Sequence, residues 1–240
     1  MTQNSTENGF SPFDNAQNSK SFTETSGKLG TKSKKRKRKN FLIAITGGIG
    51  SGKSTAASAI KSAGFKVISC DEICAKFYRS PAFLRRLKKY FPSAIKGTFS
   101  PKVDKRELSR LAFNGDENYK LLSDLVTAPV YRAAMKKARK KKGVIFIEVP
   151  LLFEFDKQNE FDKVIVVMRD TTDRAESVKK RSGLNEKEFS ARISRQADYS
   201  SVNLSDYTVI TNDGTKEELK KNAITAASAF YLEFLKNQSE

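Results

Sequence analysis

Gly47, Gly52, Lys53 and Ser54 stand at the spacing G-x-x-x-x-G-K-[ST], a pattern whose chemistry is the wrapping of backbone around phosphate. Glycines let the chain turn tightly enough for successive N–H groups to converge on phosphate oxygens, and the positive end of the following helix adds to their field. The stretch from Gly48 through Ile49, Gly50, Ser51, Gly52, Lys53 and Ser54 to Thr55 is therefore the candidate nucleotide cradle. Lys53 is placed to reach the β- and γ-phosphates as a point charge, and the Ser54 hydroxyl to join the shell of a Mg²⁺ ion. A chance glycine-rich turn is not expected between a strand-like run, Phe41–Thr46, and a helix-compatible one, Thr55–Lys61. The motif implies a nucleotide and Mg²⁺ and leaves the phosphoryl acceptor open.

Two carboxylates could serve that acceptor. The run FKVISC, Phe65–Cys70, reads as a buried strand, so Asp71 falls where a parallel strand points into the cleft shared with the P-loop. A carboxylate there can accept a hydrogen bond from an acceptor hydroxyl and take its proton. It can equally cap a helix beginning at Glu72, and position alone does not separate the two roles. A second strand-like run, Gly143–Val149, brings Glu148 opposite the P-loop, where it can hold a Mg²⁺-bound water or an acceptor hydroxyl. Pro150, Leu151 and Leu152 then shape the wall. The chain has no histidine, which excludes a His-based triad and a Cys/His zinc site. Proton handling falls to a carboxylate, a lysine or water.

The elements that must position these groups fit one core. At 240 residues the chain suits a single sizeable core with inserted lobes. Short apolar runs alternating with helix-compatible segments predict an α/β fold with a parallel sheet. Met1–Asn40 is rich in Ser, Thr, Asn and Gly, carries +6 of the total +18 charge, and is expected to be disordered. It closes with KSKKRKRK, Lys32–Lys39, a run that can serve as a nuclear-import signal, a nucleic-acid arm or a tether to an acidic surface, or equally stand as a solvated charge block. The remaining +12 suits a field around a cleft for polyanions. Cys70 and Cys74 are the only cysteines, no apolar run is long enough for a membrane span, and no signal-peptide core is apparent. A cytoplasmic protein is the expectation.

TGGIGSGKST followed by GFKVISCDEICAK resembles the dephospho-CoA kinase family, and the resemblance runs from about Phe41 to Gly214. It implies a P-loop nucleoside-triphosphate-hydrolase-type parallel sheet flanked by helices, with a helical acceptor-binding lobe at about 72–142 and a lid at about 171–200. It implies ATP and Mg²⁺ as cofactors, dephospho-CoA as substrate, and Asp71 as the base acting on the 3′-hydroxyl. EVPLLFE, Glu148–Glu154, is similar to the family's DVPLLFE, and Asp104, Lys105 and Leu108 match an acceptor-lobe pattern. Lys105, Glu148, Pro150, Leu151 and Leu152 are thereby implied on the substrate side. Of two lid arginines that reach the phosphates in the family, Arg181 matches the second while Ser177 stands at the first; Arg192 and Gln196 match a further lid segment. Asn212 and Gly214 match the loop beside the adenine. The chain departs from the pattern at Ser69, usually acidic, at Ala128, usually His, and at Glu148, usually Asp.

Overall fold

In the computed structural model the described residues are 40–182, 186–197, 199 and 202–239, with the backbone alone described at 180–182 and 186–188. The apolar run before the glycine cluster forms β1 (Asn40–Thr46). Its branched residues suit a strand buried on both faces: Leu42 and Ala44 enter one core, Ile43 and Ile45 the other. In chain order there follow α1 (Lys53–Ser62), β2 (Lys66–Ser69), α2 (Cys70–Phe77), α3 (Pro81–Tyr90), β3 (Ile95–Lys96), β4 (Lys102–Val103), α4 (Lys105–Ala112), α5 (Asp116–Leu122) and α6 (Ala128–Arg139). The chain continues with β5 (Gly143–Glu148), β6 (Lys163–Met168), α7 (Thr171–Ser182), α8 (Glu186–Ile193), β7 (Thr208–Thr211) and α9 (Lys216–Ser239).

Among the described residues the main sheet has five strands in the order β2-β5-β1-β6-β7, every adjacent pair parallel. The strand that feeds the P-loop is therefore central, with a crossover on either side, and the carboxyl ends of the strands open onto one crevice. α1 and α9 cover one face through Ala56, Ile60, Leu219, Ala223 and Phe230. The other face packs on Cys70, Leu87, Leu108, Val130 and Ala134 from the helices between β2 and β5. β3 and β4 form a separate antiparallel pair within that helical lobe.

Local interactions set several element boundaries. α2 begins at Cys70 and not at Glu72, because the Ser69 hydroxyl accepts the Glu72 N–H at 3.4 Å and caps the helix. α5 and α6 run together through a π-helical turn at Ser123–Thr127, where the Ala128 N–H reaches back to the Ser123 carbonyl. Pro129 follows at once and has no N–H to donate, so the wider turn adjusts the helix to it. β7 starts only at Thr208, because Asn203 accepts the Ser205 N–H at 3.2 Å and winds Leu204–Asp206 into a 3-10 turn. Asn40, assigned to the tail by composition, opens β1 opposite Gly143. Met1–Lys39, with the basic run, lies outside the described residues.

Candidate active site

Gly52 is the hinge on which the cradle turns. It caps α1 at φ 105°, in the left-handed region, and a Cβ there would crowd Asn212 and Leu219. α1 then starts at Lys53, so its unpaired N–H groups face the cradle. Lys53 Nζ donates to the Gly48 carbonyl at 3.0 Å, folding back over the loop. Burial pushes the Lys53 ammonium down to about 8; Glu148, Asp71 and Glu154 pull it up, and the Arg174 charge pushes it further down. An ammonium so placed gains strongly from an arriving phosphate.

Ser54 Oγ donates to Glu148 Oε1 at 2.7 Å, and Ser69 Oγ donates to Glu148 Oε2 at 2.8 Å. Glu148 ends β5 and is buried. Its carboxylate therefore sits against the P-loop serine. Asp71 lies in the first turn of α2, exposed, and the capping role that could have explained it belongs to Ser69.

Three cavities meet at Asp71. One of about 610 Å³ is bordered by Gly50, Gly52, Lys53, Ser54, Thr55 and, across from them, Asn212 and Gly214. A second of about 590 Å³ is bordered by Cys74, Tyr78, Lys105, Leu108 and Tyr119 of the helical lobe. The third, about 160 Å³ and mostly apolar, lies under Pro150 and Leu151. Asp71 borders all three, and Ile49, Arg192 and Gln196 also line both larger ones. Leu152 was expected in the wall; it is instead fully buried in the core. The reason is the left-handed Leu151 (φ 62°), which turns its own side chain to the cavities and leaves the next one pointing inward. Asp104 caps α4 by accepting the Arg106 and Glu107 N–H groups at 3.1 and 3.0 Å, which sets Lys105 at the lip of the second cavity. Asn212 Nδ2 donates to the Ser51 carbonyl at 2.9 Å and so ties the β7 end to the cradle.

The lid side holds what sequence reasoning missed. Arg174 Nε donates to the Ile49 carbonyl at 2.8 Å and its Nη2 to Gln196 Oε1 at 3.2 Å, while Gln196 Oε1 also accepts the Ile49 N–H at 2.9 Å. The guanidinium packs so closely on Gly48 that a Cβ at that position would collide with it. The available signal was helical spacing: Arg174 precedes Ser177 by three residues and so shares its face of α7. Ser177 borders the 610 Å³ cavity. Arg181 falls in the last turn of α7, and its side chain lies outside the described residues.

In the last turn of α8, Arg192 Nη2 donates to Ser109 Oγ at 2.6 Å, and just past the helix Arg195 pairs with Asp116 at 2.8 Å while lying 4.8 Å over the Tyr119 ring. Glu154 Oε1 accepts the Ala197 N–H at 2.9 Å, and burial raises its pKa. A lid segment thus bonds to the P-loop, the β5 loop and the helical lobe at once.

The family model described as dephospho-CoA kinase matches residues 41–218. The chain belongs to the dephospho-CoA kinase family. A dephospho-CoA kinase from Thermus thermophilus is 33% identical over 182 residues, covering 75% of this chain and 87% of that one. One from Geobacillus kaustophilus is 30% identical over 190 residues, covering 77% and 94%. The crystal structure of TT1252 from Thermus thermophilus superposes with a TM-score of 0.65 at 33% identity, over 79% of this chain and 96% of that one. A dephospho-CoA kinase from Campylobacter jejuni shares the fold at a TM-score of 0.52 and 22% identity, over 80% and 98%.

Proposed function

We infer that the chain transfers the γ-phosphoryl group of ATP to the 3′-hydroxyl of dephospho-CoA, giving coenzyme A and ADP, the last step of coenzyme A biosynthesis. The observation that carries this reading is Asp71 at the meeting point of a cavity on the P-loop and one on the helical lobe. A hydroxyl presented from the lobe side reaches the carboxylate with the γ-phosphorus on its other side. Asp71 orients the hydroxyl and takes its proton as the new O–P bond forms and the β–γ bridging bond breaks, with that electron pair leaving on ADP. Lys53 and the cradle N–H groups stabilise charge on the transferring group. Arg174 and Arg181 add positive charge from α7, with Arg174 also holding Ile49 in place. Lys105, Pro150 and Leu151 bind the acceptor; Asn212 and Gly214 flank the base.

Ser54 and Glu148 suit Mg²⁺: both offer hard oxygen, both face the same spot, and such an ion takes only one or two protein ligands beside phosphate and water. When bound it neutralises charge on the β- and γ-phosphates. Lid closure over the site would exclude water as a competing acceptor. Cys70 and Cys74 are both free thiols, which supports a reducing, cytoplasmic setting.

The test is an ADP-release assay with dephospho-CoA, with nucleoside monophosphates, and with no acceptor. Release dependent on dephospho-CoA is expected. Equal or faster release with a nucleoside monophosphate would overturn the acceptor assignment.

A further inference from the structure

We propose that the end of the molecule opposite the nucleotide cavity is a docking surface for an acidic phospholipid membrane. The strands of the main sheet are parallel, so their carboxyl ends carry the P-loop, Asp71 and Glu148 while their amino ends share the opposite rim.

On one face of that rim, the last turns of α6 and the turn into β5 bring Lys136, Lys137, Arg139, Lys140 and Lys142, all exposed. No acidic residue interrupts the stretch from Ala128 to Gly143. Arg139 pairs with Glu160 at 3.3 Å. A groove of about 540 Å³ runs along the helix, with Tyr131 and Met135 set among Arg132, Lys136 and Lys140. Lys66 at the start of β2 donates to the Lys142 carbonyl at 2.7 Å and extends the positive rim across the sheet.

The opposite face contributes apolar surface at the same rim. Tyr231, Leu232 and Leu235 in the last turns of α9 are 43%, 58% and 43% exposed. Their position is fixed by neighbours: the Phe234 ring lies 6.1 Å from Phe41 near the start of β1, Tyr231 lies 6.1 Å from Phe65 just ahead of β2, and Glu233 pairs at 3.1 Å with Lys163, which opens β6. Asn40, the first described residue, pairs with Gly143 at this same rim.

Cations alone would suit any polyanion. Leucines exposed at the same rim gain nothing from a nucleic acid's phosphates, whereas a bilayer interface takes both: headgroup phosphates meet the lysines and the acyl boundary meets Leu232 and Leu235. No described helix is long and apolar enough to cross a membrane, so the contact is interfacial. Docking by this rim turns the catalytic crevice toward the solvent.

The experiment is flotation of the full chain with phosphatidylcholine vesicles, with and without phosphatidylserine, across a salt series. The chain should float with the acidic vesicles alone and release as salt rises. The triple variant Lys136→Gln, Lys140→Gln, Lys142→Gln and the double variant Leu232→Ser, Leu235→Ser should each weaken vesicle binding at least about tenfold while keeping parental kinase kinetics. The chain without residues 1–39 should still float with acidic vesicles. The proposal is overturned if either variant binds acidic vesicles as the parent does, or if loss of residues 1–39 alone removes all binding. It is equally overturned if the chain prefers duplex RNA to vesicles with the leucines irrelevant, or if the leucine variant instead dissolves a dimer formed without vesicles.

Discussion

At Glu148 and Ser69 two departures from the family pattern meet in one hydrogen bond of 2.8 Å. A single carboxylate with a hydroxyl donor avoids the like-charge repulsion that two carboxylates would carry there, and the longer Glu side chain still reaches Ser54 at 2.7 Å. The same Ser69 caps α2, which leaves Asp71 without a structural duty and makes its substitution a clean test. Asp71→Asn should lower kcat at least about a hundredfold, with ATP affinity and melting temperature unchanged. A kcat within about threefold of the parent, far short of that loss, would remove Asp71 from the chemistry. Lys53 gives a second residue-scale prediction. Its pKa is lowered on folding from 10.5 to about 8, so the folded state sheds the proton first. The burial penalty is then full below about pH 8 and is relieved as pH rises from there toward 10.5, so this group makes the empty protein more stable across that window. Phosphate favours the charged form, so ATP binding at pH 8 should take up about half a proton, and the uptake should fade toward pH 6.5. Calorimetry in buffers of different ionisation enthalpy measures it; Lys53→Met should abolish it, and proton release in the parent would contradict the placement.

Among the elements, the end of α8 and the residues that follow it bond to several other parts of the molecule. Gln196 holds Ile49, Ala197 holds Glu154, Arg192 holds Ser109 and Arg195 holds Asp116. Helices α4 and α5 are thereby tied to the lid across the cavity that the acceptor is inferred to fill. The Arg195–Asp116 pair is solvent-screened on the Asp116 side, so its stacking on Tyr119, which borders that cavity, is the larger effect. Arg195→Ala should raise the KM for dephospho-CoA by about three- to tenfold, from the loss of roughly 1 kcal/mol of ordering. The KM for ATP should move less than twofold, as an approximate bound set well under that 1 kcal/mol. Steady-state kinetics with each substrate varied in turn decides between this and a general loosening of the lid, which would raise both.

At the scale of the whole molecule, the sheet separates two poles: chemistry at the carboxyl ends of the strands, and a basic and apolar rim at the amino ends. Asn40, which follows Met1–Lys39 in the chain, opens β1 at the second pole. The Met1–Lys39 segment, polar in composition, can bury little surface. Removing it should leave the melting temperature within about 2 °C and kcat within about twofold of the full chain, changes typical of a segment that contributes no core. A large fall in folded protein, measured by calorimetry, would show that the segment packs on the domain.

The P-loop and its strand were legible in the sequence because their chemistry is local: glycine freedom, a lysine and a hydroxyl act at fixed separations along one strand-turn-helix. The strand runs that build the sheet were legible for the same reason, as short branched segments buried on both faces. What Asp71 does not do was illegible, because a capping serine two residues earlier competes for the same helix end and only the folded backbone shows which side chain is used. Arg174 escaped notice because its partners, Ile49 and Gln196, lie 125 and 22 residues away. Leu151 and Leu152 are neighbours with opposite fates, set by one left-handed residue that no propensity announces. The rim of lysines and leucines is the extreme case: Lys142, Lys66 and Leu232 are far apart in the chain, and parallel strand pairing alone brings their elements to one end.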